Sequence, residues 1–405
     1  MIAQNVQIEE FLKALADELS ISETGYEQAE TSYKSLGDWL HRDESTIWKF
    51  APDVYAQGSF RLGTVIRPNS DEDEYDVDSV CELRLNKGEL TQCELKQLLG
   101  QEIKAYRVSQ GMKKPVREGR RCWTLDYAKG AQFHMDVVPA LPNGIEQKLL
   151  LERARFDTRW ADTAIAITDR NDPSYTVKTI NWPRSNPKGY AEWFKSRMTT
   201  VLTHYKQMLV ESLRRQGVIA SVEELPDYRV RTPLQSATML LKRHRSIMFD
   251  RESDLKPISI IITTLSAHAY NGENTIADSL SSILTNMDRD PYIHFDGYKY
   301  IIANPTDPSE NFADKWEEDP RKAKAFFQWL KQAREDFGRA MGATTLQSMN
   351  EAVSTRMGAA LSGRAIGKVR SVGGGLLRPA SATPAAATPV FGNNPRVPTK
   401  PRGFA

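Results

Sequence analysis

A glycine-serine turn followed by two carboxylates at strand spacing constrains this chain more than any other feature. Gln57-Gly58-Ser59-Phe60-Arg61-Leu62-Gly63-Thr64 comes just after the pair Val54-Tyr55, and Asp76-Val77-Asp78 begins twelve residues beyond Thr64. Alternation from Tyr75 to Leu85 predicts a strand. Residues i and i+2 of a strand share a face, so Asp76 and Asp78 stand side by side while Val77 enters the opposite packing layer. A third carboxylate, Asp136, sits in the apolar run Phe133 to Pro139, which predicts a buried strand. Gly58 lets the backbone approach a phosphate closely, and Ser59 adds a hydroxyl next to exposed amides. Hard cations such as Mg²⁺ prefer carboxylate and phosphate oxygens, and a cation makes crowded carboxylates tolerable. Two-metal phosphoryl transfer needs about three such ligands, with Asp136 on the nucleophile side and able to act as general base for a sugar hydroxyl. The competing reading is a solvated acidic loop, because Asp71, Glu72, Asp73 and Glu74 precede the pair. The turn before it and the strand Asp after it favour catalysis.

The surroundings are those of a globular protein of two or three units, with 405 residues, 40% hydrophobic and a net charge of +2. Near-neutrality excludes a uniformly basic nucleic-acid binder. The charge is uneven, with eight Lys and Arg and no Asp or Glu after Glu351, against 46 basic and 52 acidic residues up to it. Cys81, Cys93 and Cys122 are odd in number and lack C-x-x-C spacing, which argues against a disulfide framework or zinc ribbon and for a reducing compartment. No apolar run is long enough to span a membrane, and the first ten residues do not read as a signal peptide, so a cytoplasmic protein is expected.

Helical spacing of Ile8, Phe11, Leu12, Leu15 and Leu19, then of Tyr26, Ala29, Tyr33, Leu36 and Leu40, predicts two opening helices. Residues 51–185 read as mixed α and β, including a hairpin of 122–127 with 132–138 around Ala128-Lys129-Gly130-Ala131. Residues 186–350 read as mainly helical, with helices near 190–209, 234–249, 258–270, 274–287 and 320–340. Residues 371–405, with six Pro, five Gly and six Ala, are too poor in large apolar side chains to offset their ordering entropy and are expected to be disordered.

The turn, the D-x-D strand and the third Asp resemble the polymerase-β-type nucleotidyltransferases. Within them, Gly58 to Thr64, Asp73 to Asp78, Pro233-Leu234-Gln235, Lys242-Arg243-His244-Arg245 and Asn304-Pro305 through Trp316 resemble the bacterial cyclic-oligonucleotide synthases of the cGAS/DncV-like family. The resemblance spans roughly residues 50–320 and gains specificity from the order of its motifs. It implies an α+β protein, with residues 1–50 forming helices against a polymerase-β-like core at 51–185, facing a helical lobe at 186–350. The implied activity joins nucleoside triphosphates, ATP or GTP among them, into a cyclic di- or trinucleotide messenger in antiphage defence. Asp76, Asp78 and Asp136 are implied to bind Mg²⁺, with Mn²⁺ as a substitute, and Gln57, Gly58 and Ser59 to lie along the donor nucleotide. Lys242 and Ser259 match the lysine and serine that hold the triphosphate, and Asp307 is placed near a nucleotide. The chain ends in a small residue, Ala405, on an accessible arm. Similar tails are substrates of a ubiquitin-like conjugation system with E1- and E2-like enzymes. The animal relatives' zinc insertion has no counterpart in these cysteines, so activation by duplex DNA is not expected.

Without the resemblance several residues read differently. Lys242 to Arg245 read as an ordinary basic helix face exposing its cations, and Ser259 as the first-turn residue of the next helix. Alternation is taken to send His134 to the face opposite Asp136, making it a packed histidine. His244 has no companion at metal-ligand spacing. The cations of residues 104–121 read as a solvated face, and Tyr298, Tyr300 and Trp316 as base-stacking or core residues. Two other activities share the motifs: a template-independent enzyme extending RNA 3′ ends, which needs a continuous basic groove, and a catalytically silent nucleotide sensor.

Overall fold

The computed structural model describes residues 2–69, 74–127, 133–215 and 230–374. Asp71, Glu72 and Asp73, the turn at 128–131, the tail beyond 374 and its Ala405 lie outside the described residues.

Two helices open the chain, α1 (Ile2–Leu19) and α2 (Glu23–Leu40), with the Ser22 hydroxyl capping the second by accepting from the Gly25 amide at 3.0 Å. Helix α2 lies against strand β1 (Asp53–Ala56). Helix α1 goes elsewhere. Its buried face of Ile8, Phe11, Leu12, Leu15 and Leu19 joins the apolar cluster of the helical lobe, because a stripe this wide needs the larger apolar partner.

After β1 come the single turn α3 (Gly58–Arg61), strand β2 (Tyr75–Glu82), helix α4 (Gln92–Ser109), strands β3 (Arg117–Glu118), β4 (Trp123–Asp126) and β5 (Phe133–Pro142), helix α5 (Gly144–Arg153), and strands β6 (Ile165–Ile167) and β7 (Arg184–Ser185). They form one sheet in the order β1-β2-β5-β4-β3, with β6 and β7 continuing from β5. Among the described residues only β2 and β5 run parallel, and their register sets Asp76 beside His134 and Asp78 beside Asp136. The opposite face carries Val77, Cys81, Met135 and Val137, all buried, which makes slippage by one residue costly.

The lobe begins with the 29-residue α6 (Pro187–Arg215) and continues through α7 (Pro233–Met248), α8 (Ser259–Ala269) and α9 (Ile276–Asn286). Two small hairpins follow, β8 (His294–Phe295) with β9 (Tyr300–Ile301) and β10 (Ala303–Asn304) with β11 (Asp307–Asn311). Helices α10 (Asp314–Glu318), α11 (Pro320–Gly342), α12 (Leu346–Met357) and α13 (Ala359–Gly374) complete it. Residues 371–374, expected to be disordered, are helical here, because α13 packs along α1. The Glu18 carboxylate of α1 accepts from Arg364 at 2.6 Å and pairs with Lys368 at 2.5 Å. Among the described residues no helix is long and apolar enough to cross a membrane.

Candidate active site

The Gly58-Ser59 turn is built against Asp78. The Gln57 amide donates to the Asp78 carbonyl at 2.8 Å, continuing the β1–β2 ladder to the first turn of α3. Gly58 has φ +60°, and a Cβ there would stand 2.4 Å from Asp78 Oδ2, so no other residue fits. Thr64 closes the turn by donating its amide to the Ser59 carbonyl at 2.9 Å.

The two strands set Asp76, Asp78 and Asp136 on one face. Burial is the main cause that pushes the half-buried Asp78 carboxyl up to about 6, and repulsion from Asp76 and Asp136 adds to it. Such a donor set fits a hard cation, because three hard oxygen acids in one place resist ionising together until a positive charge joins them. Two of the three have other partners: Asp76 Oδ1 lies 2.8 Å from His134 Nε2, and Asp136 Oδ1 accepts from the Thr124 hydroxyl at 2.5 Å. Among the described residues no three acidic, His or Cys side chains form a ready cluster for a metal as they lie.

His134 is therefore not on the opposite face. Positions 134 and 136 are two apart on a strand, so they share a face, and the parallel register puts His134 beside Asp76. The hydrogen bond to Asp76 raises its pKa above the ordinary histidine value.

A cavity of about 310 Å³ joins this face to the helical lobe, lined by Ser59 and Asp76 from one side and by Lys242, Arg245, Lys256 and Ser259 from the other. The basic face expected on α7 is not exposed. Lys242, Arg243, His244 and Arg245 are 5%, 4%, 0% and 6% accessible, because α7 is surrounded by packed elements and each cation is turned to a specific acceptor. Lys242 Nζ donates to the Thr64 carbonyl at 2.8 Å, Arg243 to Asn69 and to the Pro68 carbonyl, and His244 Nε2 lies 3.0 Å from Asp336 Oδ2. Burial, with Arg245 nearby, brings the Lys242 ammonium down to about 7, while Asp78 opposes the shift.

Ser259 is the first residue of α8 and also lines the cavity. Asp307 does not line it. That carboxylate sits on β11, accepting from the Ser309 hydroxyl at 2.5 Å and 3.4 Å from Arg184 Nη2. Trp316 and Tyr300 pack edge to face within the lobe, whereas Tyr298 is exposed. In the basic segment 104–121, Arg117 pairs with Asp126 and both Arg120 and Arg121 pair with Asp169, which removes charge from any continuous basic groove there.

Gln235 was legible only as a motif member. Thr232 and Gln235 form a capping box at the start of α7, and Gln235 Nε2 also donates to the Leu62 carbonyl at 2.9 Å, locking the turn from the lobe side. The T-x-x-Q spacing is the local signal from which the cap could have been read. Its second contact, with residue 62, carries no local signal.

Residues 52–139 match the family described as cyclic GMP-AMP synthase DncV-like, nucleotidyltransferase domain. Over 324 residues the chain is 28% identical to a c-di-GMP synthase of Roseivirga ehrenbergii, covering 80% of this chain and 77% of that one. It is 25% identical over 316 residues to the cyclic dinucleotide synthase CdnG of Bradyrhizobium diazoefficiens, covering 76% and 70%. The structure of that CdnG in complex with GTP superposes with a TM-score of 0.66 at 19% identity, over 90% of this chain and 99% of that one. The GTP-bound form of Vibrio cholerae DncV superposes with a TM-score of 0.51 at 12% identity, over 89% and 88%. The superpositions show a common fold, and the sequence matches show an enzyme, a nucleotidyltransferase that carries a DncV-like nucleotidyltransferase domain at residues 52–139 and resembles cyclic dinucleotide synthases over most of its length.

Proposed function

We infer that the protein is a divalent-metal-dependent synthase, working in the cytoplasm, that joins nucleoside triphosphates into a cyclic dinucleotide used in antiphage signalling. The observation that carries this reading is one cavity shared by the Ser59 and Asp76 side of the sheet and by Lys242 and Ser259 of the lobe, with Asp78 and Asp136 on the same strand face. The two relatives named as cyclic dinucleotide synthases favour a ring of two nucleotides over three.

In this reading Asp76, Asp78 and Asp136 would hold Mg²⁺, or Mn²⁺ in its place, once Asp76 leaves His134 and Asp136 leaves Thr124. When bound, the cation supplies charge neutralisation for the triphosphate and acidifies a ribose hydroxyl. The chain does the rest. Ser59 and the amides around Gly58 border the triphosphate, Lys242 and Ser259 meet it from the lobe, and Asp136 takes the proton of the ribose hydroxyl as its oxygen bonds the α-phosphorus. Pyrophosphate leaves, and a second round in the same cleft closes the ring.

The test is incubation with ATP, GTP, CTP and UTP plus Mg²⁺, followed by mass spectrometry of phosphatase-resistant products. A cyclic dinucleotide is expected. Linear nucleotides attached to RNA, or nucleotide binding with no pyrophosphate release, would overturn the reading.

A further inference from the structure

Arg245 stands three residues beyond Lys242, one turn further along the same side of α7. Its guanidinium donates through Nη1 to the Pro257 carbonyl at 2.5 Å and through Nη2 to the Ser259 hydroxyl at 3.2 Å. Both acceptors lie where the chain enters α8, so this one side chain sets where α8 begins relative to α7.

The two bonds tie α7 to α8 but leave charge uncompensated. Arg245 is more than nine-tenths buried, its Nε has no hydrogen-bond partner, and among the described residues no Asp or Glu forms an ion pair with it. Lys242 is equally buried and bonds a carbonyl, not a carboxylate. Both line the same cavity. Two like charges buried side by side, with no carboxylate bonded to either and only Asp78 acting on Lys242 from a distance, are unfavourable for the empty protein and suit a polyanion.

The Ser259 hydroxyl adds direction. A hydroxyl has one proton and two lone pairs, and one lone pair is already taken by Arg245. Its proton is left for another acceptor, and the group borders the cavity. We propose that Arg245 is a positioning residue for the triphosphate: it holds the Ser259 hydroxyl as an acceptor, so that the Ser259 O–H donates into the cavity to a phosphate oxygen opposite Lys242. This inference rests on the nucleotidyltransferase reading of the cavity and assigns the orientation of one of its donors.

The experiment is a double-mutant cycle on the full-length protein with Arg245→Gln, Ser259→Ala and the pair, read by calorimetric binding of inorganic tripolyphosphate and by steady-state kinetics with nucleoside triphosphate. Each single variant is expected to weaken tripolyphosphate binding by about tenfold or more, as for a hydrogen bond to a charged group. Because one residue acts through the other, the pair is expected to be little worse than the weaker single variant. KM for the triphosphate rises with kcat within about threefold, the pattern of lost binding. Arg245→Lys keeps the buried charge, but one ammonium cannot serve both Pro257 and Ser259, so it recovers only part of the affinity. It also carries the test if Arg245→Gln does not fold. Full additivity of the two substitutions, or unchanged tripolyphosphate affinity in a folded Arg245 variant, would overturn the proposal. Asp78→Asn in the same assays separates the two ideas: normal turnover there defeats the proposed function, while the binding cycle reads Arg245 apart from the chemistry.

Discussion

Asp78 is the carboxylate on which the glycine turn and both acidic strands converge. Its carboxylate touches the space where a Cβ of residue 58 would be, faces Asp136 across the ladder, and feels Asp76 two positions away. If Asp78 holds the cation as proposed, Asp78→Asn is expected to cut pyrophosphate release by at least about a hundredfold, because it removes that charge without changing shape. Mg²⁺ should raise the melting temperature of the native chain by about 2–4 °C and leave the Asn variant unmoved, which differential scanning fluorimetry with and without chelator checks. A Mg²⁺ shift of equal size in both would show that the ion binds elsewhere. At this scale strand alternation, a local rule, is enough to put Asp76 and Asp78 on one face, and the β2–β5 register adds Asp136 to it. The same rule, applied correctly, would also have placed His134 on their face, since 134 and 136 differ by two.

At the scale of elements, α7 joins sheet to lobe by several bonds. Its capping box holds its own first turn, and the same Gln235 fixes the Leu62 carbonyl next to Gly63. Gln235→Ala is expected to cost about 1–2 kcal/mol in chemical denaturation, the worth of a cap plus one buried hydrogen bond, and to lower kcat/KM through a loosened turn. Thr232→Ala should cost about 1 kcal/mol, with less effect on turnover. Equal kinetic damage from both would mean that the cap, not the bond to Leu62, maintains the site. Helices α1 and α13 make a second junction through Glu18. Burial of that carboxyl works to raise its pKa, but the hydrogen bonds from Arg364 and Lys368 prevail and hold it below the usual carboxylate value. The stabilisation is therefore present above the unfolded carboxylate pKa and is lost as pH falls through the lowered folded one. Hydrogen exchange in α13 should quicken over that acidic window and also in Glu18→Gln at neutral pH, and a variant exchanging like the native chain would show that apolar packing alone holds α13. Periodicity made α1, α2 and α6 to α9 legible. It could not show which lobe α1 joins, or that the cations of α7 are buried, because both depend on partners far away in the chain.

Across the whole molecule, the bonds from Gln235 to Leu62, Lys242 to Thr64 and Arg243 to Pro68 run from one helix of the lobe to one segment of the sheet domain. His244, between those cations, bonds Asp336 of α11 and so ties the same helix into the centre of the lobe. A hinge opening between the two halves would have to break these bonds together. Radius of gyration measured by small-angle X-ray scattering is accordingly expected to change by less than about 1 Å when nucleoside triphosphate binds, against the larger change of a domain closure. A larger contraction would show that the joint yields. If it does not yield, an unsuitable nucleotide cannot be turned away by failing to shut a jaw around it. Selection among bases then falls to fixed contacts at the walls, and altering a wall residue should change which letters enter the product without changing how fast the enzyme moves.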